Sequence, residues 1–149
     1  EPVRENALYK IAYIEDPWGT KIAVVEDHEW LGFHHIHLRS PDPAVTLSWY
    51  ADIFGGTRDS LKGRISGLRY GTVWLLVTPH EGELAPTEGR AFDHLGWQFP
   101  DLRAEAENIK RKGVEFDIEV RPFTNPLGEE MLISFVTGPD GVRIEIVQH

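Results

Sequence analysis

Short runs in which apolar and polar positions alternate are separated, in this chain, by two segments with helical character. Period-two alternation is the mark of a half-buried strand, and a longer segment with caps at its ends is the mark of a helix. The strand-like runs are FHHIHL (33–38), RISGLRYGTVWLLVTP (64–79), FDHLGWQ (92–98), FDIEV (116–120), MLISFVTG (131–138) and VRIEIVQ (142–148). The helical segments are PAVTLSWYADIFGG (43–56), opened by Pro43 and stopped by Gly55-Gly56, and LRAEAENIKRKGV (102–114), stopped at Gly113.

These elements repeat. FHHIHLRSPDP (33–43) set over FDHLGWQFPDL (92–102) brings His35 onto His94, Ile36 onto Leu95 and Pro41-Asp42 onto Pro100-Asp101. Each copy reads as strand, Pro-Asp turn, helix and three strands, so the fold class is α+β: two tandem βαβββ units, about 32–80 and 91–149. The unit endings align as well. GTVWLLV (71–77) over GVRIEIV (141–147) pairs Leu75 with Glu145, and IAYIEDPWGTKIAVVE (11–26) over ISFVTGPDGVRIEIVQ (133–148) pairs Ala23 with Glu145. Residues 1–31 therefore read as an extra N-terminal β-hairpin plus linker, resembling the closing hairpin of a preceding unit. A hairpin alone is marginal in water, so it is expected to pack on a sheet edge of its own or a partner chain and to bring no metal ligand.

Composition narrows the partners. The 149 residues, 41% apolar, suffice for one domain with a core. A net charge of −9 offers no basic footprint for nucleic acid, and no apolar run approaches a membrane span. With no cysteine there is no thiolate chemistry and no cysteine-ligated metal. A small-molecule substrate, a cytoplasmic location and a homodimer are the expectations that remain. EGELAPTEGRA (81–91) is acidic and turn-rich, a connector between units.

The motifs HHIHL, PDP, WY-x-D-x-FGG, DHLGWQ and the terminal GPDG with its later Glu resemble, in order, the vicinal oxygen chelate superfamily of glyoxalases, bleomycin-resistance proteins and extradiol dioxygenases. The resemblance implies that the two units form one cup-shaped mixed sheet, with one divalent metal ion held from the first and last strands of the units, on the concave face. Carried onto this chain, those positions are His35, His94, Glu145 and Leu75, of which Leu75 cannot bind. Two imidazoles and a carboxylate suit Fe(II) or Mn(II) first, with Zn, Ni or Co as alternatives, and leave positions open for a chelating substrate. Strand parity agrees: His35, His37 and Arg39 share one face, and a carboxylate in the centre of VRIEIV needs a partner.

His37, on the ligand face, is a candidate for acid/base duty, and His80 in TPHEGE is a candidate proton donor; both are taken as catalytic candidates. His34 is read as a surface or packing residue. The three-ligand set resembles an extradiol-dioxygenase-like oxidoreductase acting on adjacent oxygens, although Phe135 stands where that group carries a tyrosine. A glyoxalase-like lyase or epimerase and a non-catalytic bleomycin-resistance-type binding protein are the alternatives.

Overall fold

A computed structural model describes residues 1–149. The first unit runs β4 (His35–Ser40), α1 (Pro43–Phe54), β5 (Thr57–Leu61), β6 (Ile65–Tyr70) and β7 (Val73–Pro79). The second runs β8 (His94–Gln98), α2 (Leu102–Arg111), β9 (Phe116–Thr124), β10 (Glu130–Thr137) and β11 (Arg143–Gln148). Before them lie β1 (Arg4–Glu5), β2 (Lys10–Glu15) and β3 (Lys21–Glu26), a three-stranded sheet in the order β1-β2-β3.

The two units share one topology. The sheets are β4-β7-β6-β5 and β8-β11-β10-β9, with the first strand parallel to the last in each. The Pro-Asp pairs are helix starts: Asp42 accepts from the backbone N–H of Ala44 and Val45, and Asp101 accepts from that of Ala104. Each carboxylate thereby satisfies donors that a first helical turn leaves free. At the end of α1, Gly56 has φ 88°, and a Cβ there would lie 2.8 Å from the Tyr70 ring, so the turn into β5 admits only glycine.

One core joins the units. Ile144 and Ile146 of β11, Leu102 and Ile109 of α2, and Tyr50, Leu68, Leu75 and Val77 of the first unit are buried in a single cluster. Its contact between units is made on the helix-bearing sides, where Phe54 of α1 stacks on Trp97 of β8 at 4.5 Å between centroids. Burying each such side chain contributes roughly 1.5–3 kcal/mol. The eight strands accordingly form two separate four-stranded sheets, rather than the one continuous cup-shaped sheet expected from the sequence.

Strand register corrects one pairing. His35 lies opposite Trp74 and His37 opposite Leu76, while His94 lies opposite Arg143 and Gly96 opposite Glu145. The residue in the place of Glu145 is therefore Leu76, and Leu75 corresponds to Ile144 on the helix side. The sequence alignment slipped by one because GTVWLLV and GVRIEIV share their glycine but not the length of the turn behind it, and a slip of one exchanges the faces of a strand.

The N-terminal hairpin is in the expected register. Tyr13 faces Ala23 across β2-β3 as Phe135 faces Glu145 across β10-β11. Within the chain its base, rather than an edge-to-edge strand pairing, makes the contact, on the concave face of the first sheet. Tyr9, with Leu8, Val25 and Trp30 around it, covers Leu61, Trp74 and Leu76. The opposite face carries Ile14, Ile22 and Val24, which are exposed. Their counterparts Val136, Ile144 and Ile146 are fully buried in the core that includes α2; the three-stranded sheet has no helix of its own.

Candidate functional site

The concave face of the second sheet carries the chemistry. His94 and Glu145 sit on adjacent parallel strands, and parity sends both side chains to the same side, where His94 Nε2 lies 3.5 Å from Glu145 Oε2. The neighbouring Gly96 opposite Glu145 leaves the space between them unfilled. Asp93 accepts from His94 Nδ1 at 2.7 Å and from the backbone N–H of Gly89. Those hydrogen bonds, the one from His94 foremost, hold the Asp93 carboxyl below its ordinary range despite a small opposing desolvation, with help from Arg143. Because a carboxylate only accepts, His94 carries a proton on Nδ1, and Nε2 is the nitrogen it directs at Glu145.

Arg143 closes one side of this group. Its guanidinium reaches Asp93 at 3.2 Å and Glu88 at 3.3 Å, and lies over the Phe135 ring at 4.2 Å. Phe135 also meets the His94 ring edge-on at 5.9 Å, and with Ile133 and Val147 forms an apolar floor. The His94 side chain remains 38% exposed and that of Glu145 26%, so the pair is open to a ligand.

The concave face of the first sheet carries His35 and His37, with His34 just ahead of β4. His35 Nδ1 is 2.7 Å from His34 Nδ1, and the His35 and His37 rings are 5.9 Å apart. Burial, with smaller contributions from His34 and His37, lowers His35 to about 4, so it is a neutral base at ordinary pH. His37 is also lowered, by burial and then by Arg39, and its Nε2 bonds the Thr78 hydroxyl at 3.0 Å. His34, read from the sequence as a surface or packing residue, is packed against the Tyr9 ring. It is buried, with Nε2 3.3 Å from Asp27 Oδ2.

Within one chain these groups stay apart. No cluster of three or more His, Asp or Glu side chains suited to a metal forms, so His35 does not join His94 and Glu145. His80 follows β7 at the far end of the first sheet; its backbone N–H bonds the Ser40 carbonyl, roughly 16 Å along β4 from His35 at about 3.3 Å per residue. The structure thus brings together His94 with Glu145, and His35 with His37, and leaves His80 at the other end of β4 from His35. Asp93 and Asp27 escaped the sequence reading. The signal for Asp93 was its place before His94, in the slot that His34 holds before His35; for Asp27 there was none, since its contact with His34 is tertiary.

The fold and site define a class: paired βαβββ units with a histidine and a carboxylate converging on a concave face. The chain belongs to the Glyoxalase/Bleomycin resistance protein/Dioxygenase superfamily, whose family model matches residues 32–146. It is 28% identical over 127 residues to the uncharacterized protein YaeR of Escherichia coli K12, across 77% of this chain and 94% of that protein. Among solved structures it is similar to a V278E mutant of glyoxalase I from Zea mays, with 20% identity, a TM-score of 0.74, and coverage of 94% of this chain and 54% of the maize chain. It is also similar to the fosfomycin resistance protein FosX of Listeria monocytogenes, with 19% identity, a TM-score of 0.62, and coverage of 80% of this chain and 93% of that one. At these identities the two structures bear on the fold. No helix is long and apolar enough to cross a membrane.

Proposed function

We propose that the protein is a metal-dependent enzyme of this superfamily, acting on a small molecule with two adjacent oxygens, and that His94, Glu145 and His35 hold its divalent ion. The observation that carries the reading is shared by both histidines: each has Nδ1 engaged, His94 by Asp93 and His35 by His34, which leaves Nε2 as the nitrogen toward the concave face, that of His94 beside Glu145. That is the arrangement a ligating histidine needs, with the second nitrogen anchored and the first presented. The donor set, two imidazoles and a carboxylate, suits Fe(II) or Mn(II), with Zn, Ni or Co as the alternatives.

His35 and His94 stand at the start of β4 and β8, and both strands are the free edges of their sheets. Abutting β4 of one chain against β8 of a second would bring His35 to the His94–Glu145 pair and close a cup from two chains. This supports a homodimer. When bound, the ion supplies Lewis-acid activation of a chelating substrate. In that cup His37, next to His35 and bonded to Thr78, would act as the base, since burial favours its neutral form, and the Phe135 cluster would form an apolar wall. Three protein donors leave room for both substrate oxygens and a further small molecule, which favours the extradiol-dioxygenase-like reading over the glyoxalase-like one.

Two experiments test this. Elemental analysis of protein purified without chelator, with an oxygen-electrode screen of catechols, is expected to find iron or manganese with oxygen uptake; zinc, nickel or cobalt without uptake would point to the lyase or epimerase chemistry, and no metal to a binding protein. The two-chain cup is tested by mixing. His35→Ala and Glu145→Ala chains each lose the metal alone, and together regain about one ion per heterodimer, because one of its two cups then has all its ligands. Failure of the mixture to regain metal in verified heterodimers would remove His35 from the ligand set.

A further inference from the structure

The repeat sets His34 over Asp93, and both residues bond the Nδ1 of the histidine that follows them. In the second unit the carboxylate acts directly. In the first unit an imidazole intervenes, and its far nitrogen reaches Asp27, a carboxylate supplied by the segment after β3. Asp27 is built into a polar seat: its side chain is 1% exposed, Oδ1 accepts from the backbone N–H of Glu29 at 2.8 Å and of Trp30 at 3.4 Å, and Oδ2 meets Lys62 Nζ at 3.0 Å. His34 is enclosed as well, with the Tyr9 ring edge-on at 5.5 Å.

We infer that Asp27 and His34 are positioning residues that set the tautomer of His35, keeping its proton on Nδ1 so that Nε2 presents a lone pair to the concave face. The logic is one of donors and acceptors. The Asp27 carboxylate can only accept, so His34 donates from Nε2. The 2.7 Å contact between the two Nδ1 atoms admits a single proton; with His34 donating its own proton from Nε2, that proton belongs to His35 Nδ1, and His35 Nε2 is left bare. Nδ1–H is the less favoured tautomer of a free histidine, so the relay overrides an intrinsic preference. The consequence is that the N-terminal segment, which carries no ligand of its own, decides whether His35 can act as one. That the lone pair serves a metal rests on the function proposed above; the tautomer itself does not.

The test is two-bond ¹H–¹⁵N correlation on metal-free, ¹⁵N-histidine-labelled protein. Wild-type His35 is expected as the Nδ1–H form with a bare Nε2, and His34 as the Nε2–H form. Asp27→Asn keeps the shape but reverses the polarity: its amide oxygen takes the place facing two backbone N–H groups, its NH₂ faces His34, and the relay flips so that His35 appears with Nε2–H. His34→Phe retains a ring against Tyr9 but removes the acceptor, and shifts His35 the same way. Zn(II) added to wild type is expected to move the His35 Nε2 signal, with affinity at that nitrogen weaker by roughly tenfold or more in Asp27→Asn.

A wild-type His35 with Nε2–H, a doubly protonated His34, or a folded Asp27→Asn or His34→Phe whose His35 pattern is unchanged would each overturn the proposal. The wild-type spectrum decides the first two even where a variant fails to fold. If the tautomers are as expected and Zn(II) leaves His35 untouched, the relay stands and the metal assignment of His35 falls.

Discussion

The two βαβββ units carry the same strands in the same register and have opposite concave faces. In the first, the residues beside the edge strand are Trp74 and Leu76, 2% and 1% exposed beneath the N-terminal hairpin. In the second, the matching residues are Arg143 and Glu145, which stay open together with His94. The backbone is therefore neutral as to use. Two side chains on the last strand decide whether the face becomes a packing surface, which needs a cover, or a polar site, which needs a ligand. A covered aromatic gains by excluding water, and a carboxylate paired with an imidazole gains by holding a cation.

The largest separation between the faces is expected in metal content. Glu145→Ala or His94→Ala should reduce metal from one ion per site to near none, while Leu76→Ala should leave it unchanged; elemental analysis reads both, and full occupancy in Glu145→Ala would undo the assignment. Next is stability. Trp74→Ala removes a buried aromatic that Trp30 and Tyr9 cover, and is expected to destabilise by about 3–5 kcal/mol in denaturant unfolding. Phe135→Ala, on the open face, should cost less, and equal losses would mean that the second face is covered too.

A smaller effect appears in acid. Burial acts to raise the Asp27 carboxyl, but the Glu29 N–H, Lys62, His34 and the Trp30 N–H outweigh it and lower it to about 2. A carboxylate depressed in the folded state contributes stability above its unfolded value of about 3.9 and loses it as pH falls through the folded value. The first unit should therefore carry an acid-labile contribution between about pH 4 and pH 2 that Asp27→Asn abolishes, seen as a flatter acid arm in a plot of Tm against pH. Smallest is the helix cap: Asp101→Ala and Asp42→Ala should each cost about 1 kcal/mol, and similar values would confirm that the units differ in their faces and not their frames.

Much of the frame was legible. The period-two runs located β4, β6, β7, β8, β9, β10 and β11, and the repeated Pro-Asp marked both helix starts, because local spacing and capping are written in adjacent residues. β5, whose TRDSL is largely polar and exposed, carried no such pattern and is held by pairing with β6. The hairpin register was legible through its likeness to β10-β11, as was the convergence of His94 and Glu145 through parity.

What the chain alone determined is thus the unit, its repetition, and the parity that puts histidines and a carboxylate on concave faces. Tertiary structure decided which groups meet. Leu76 rather than Leu75 stands in the place of Glu145, because register depends on a turn whose length the alignment did not see. His34 became part of a relay because the folded hairpin delivers Asp27 to it, and His35 stayed apart from His94 because the units join through their helix-bearing sides. Periodicity is a property of neighbours in sequence and can be read there; a hydrogen bond between residues brought together by packing depends on where whole elements come to rest, which no local pattern records.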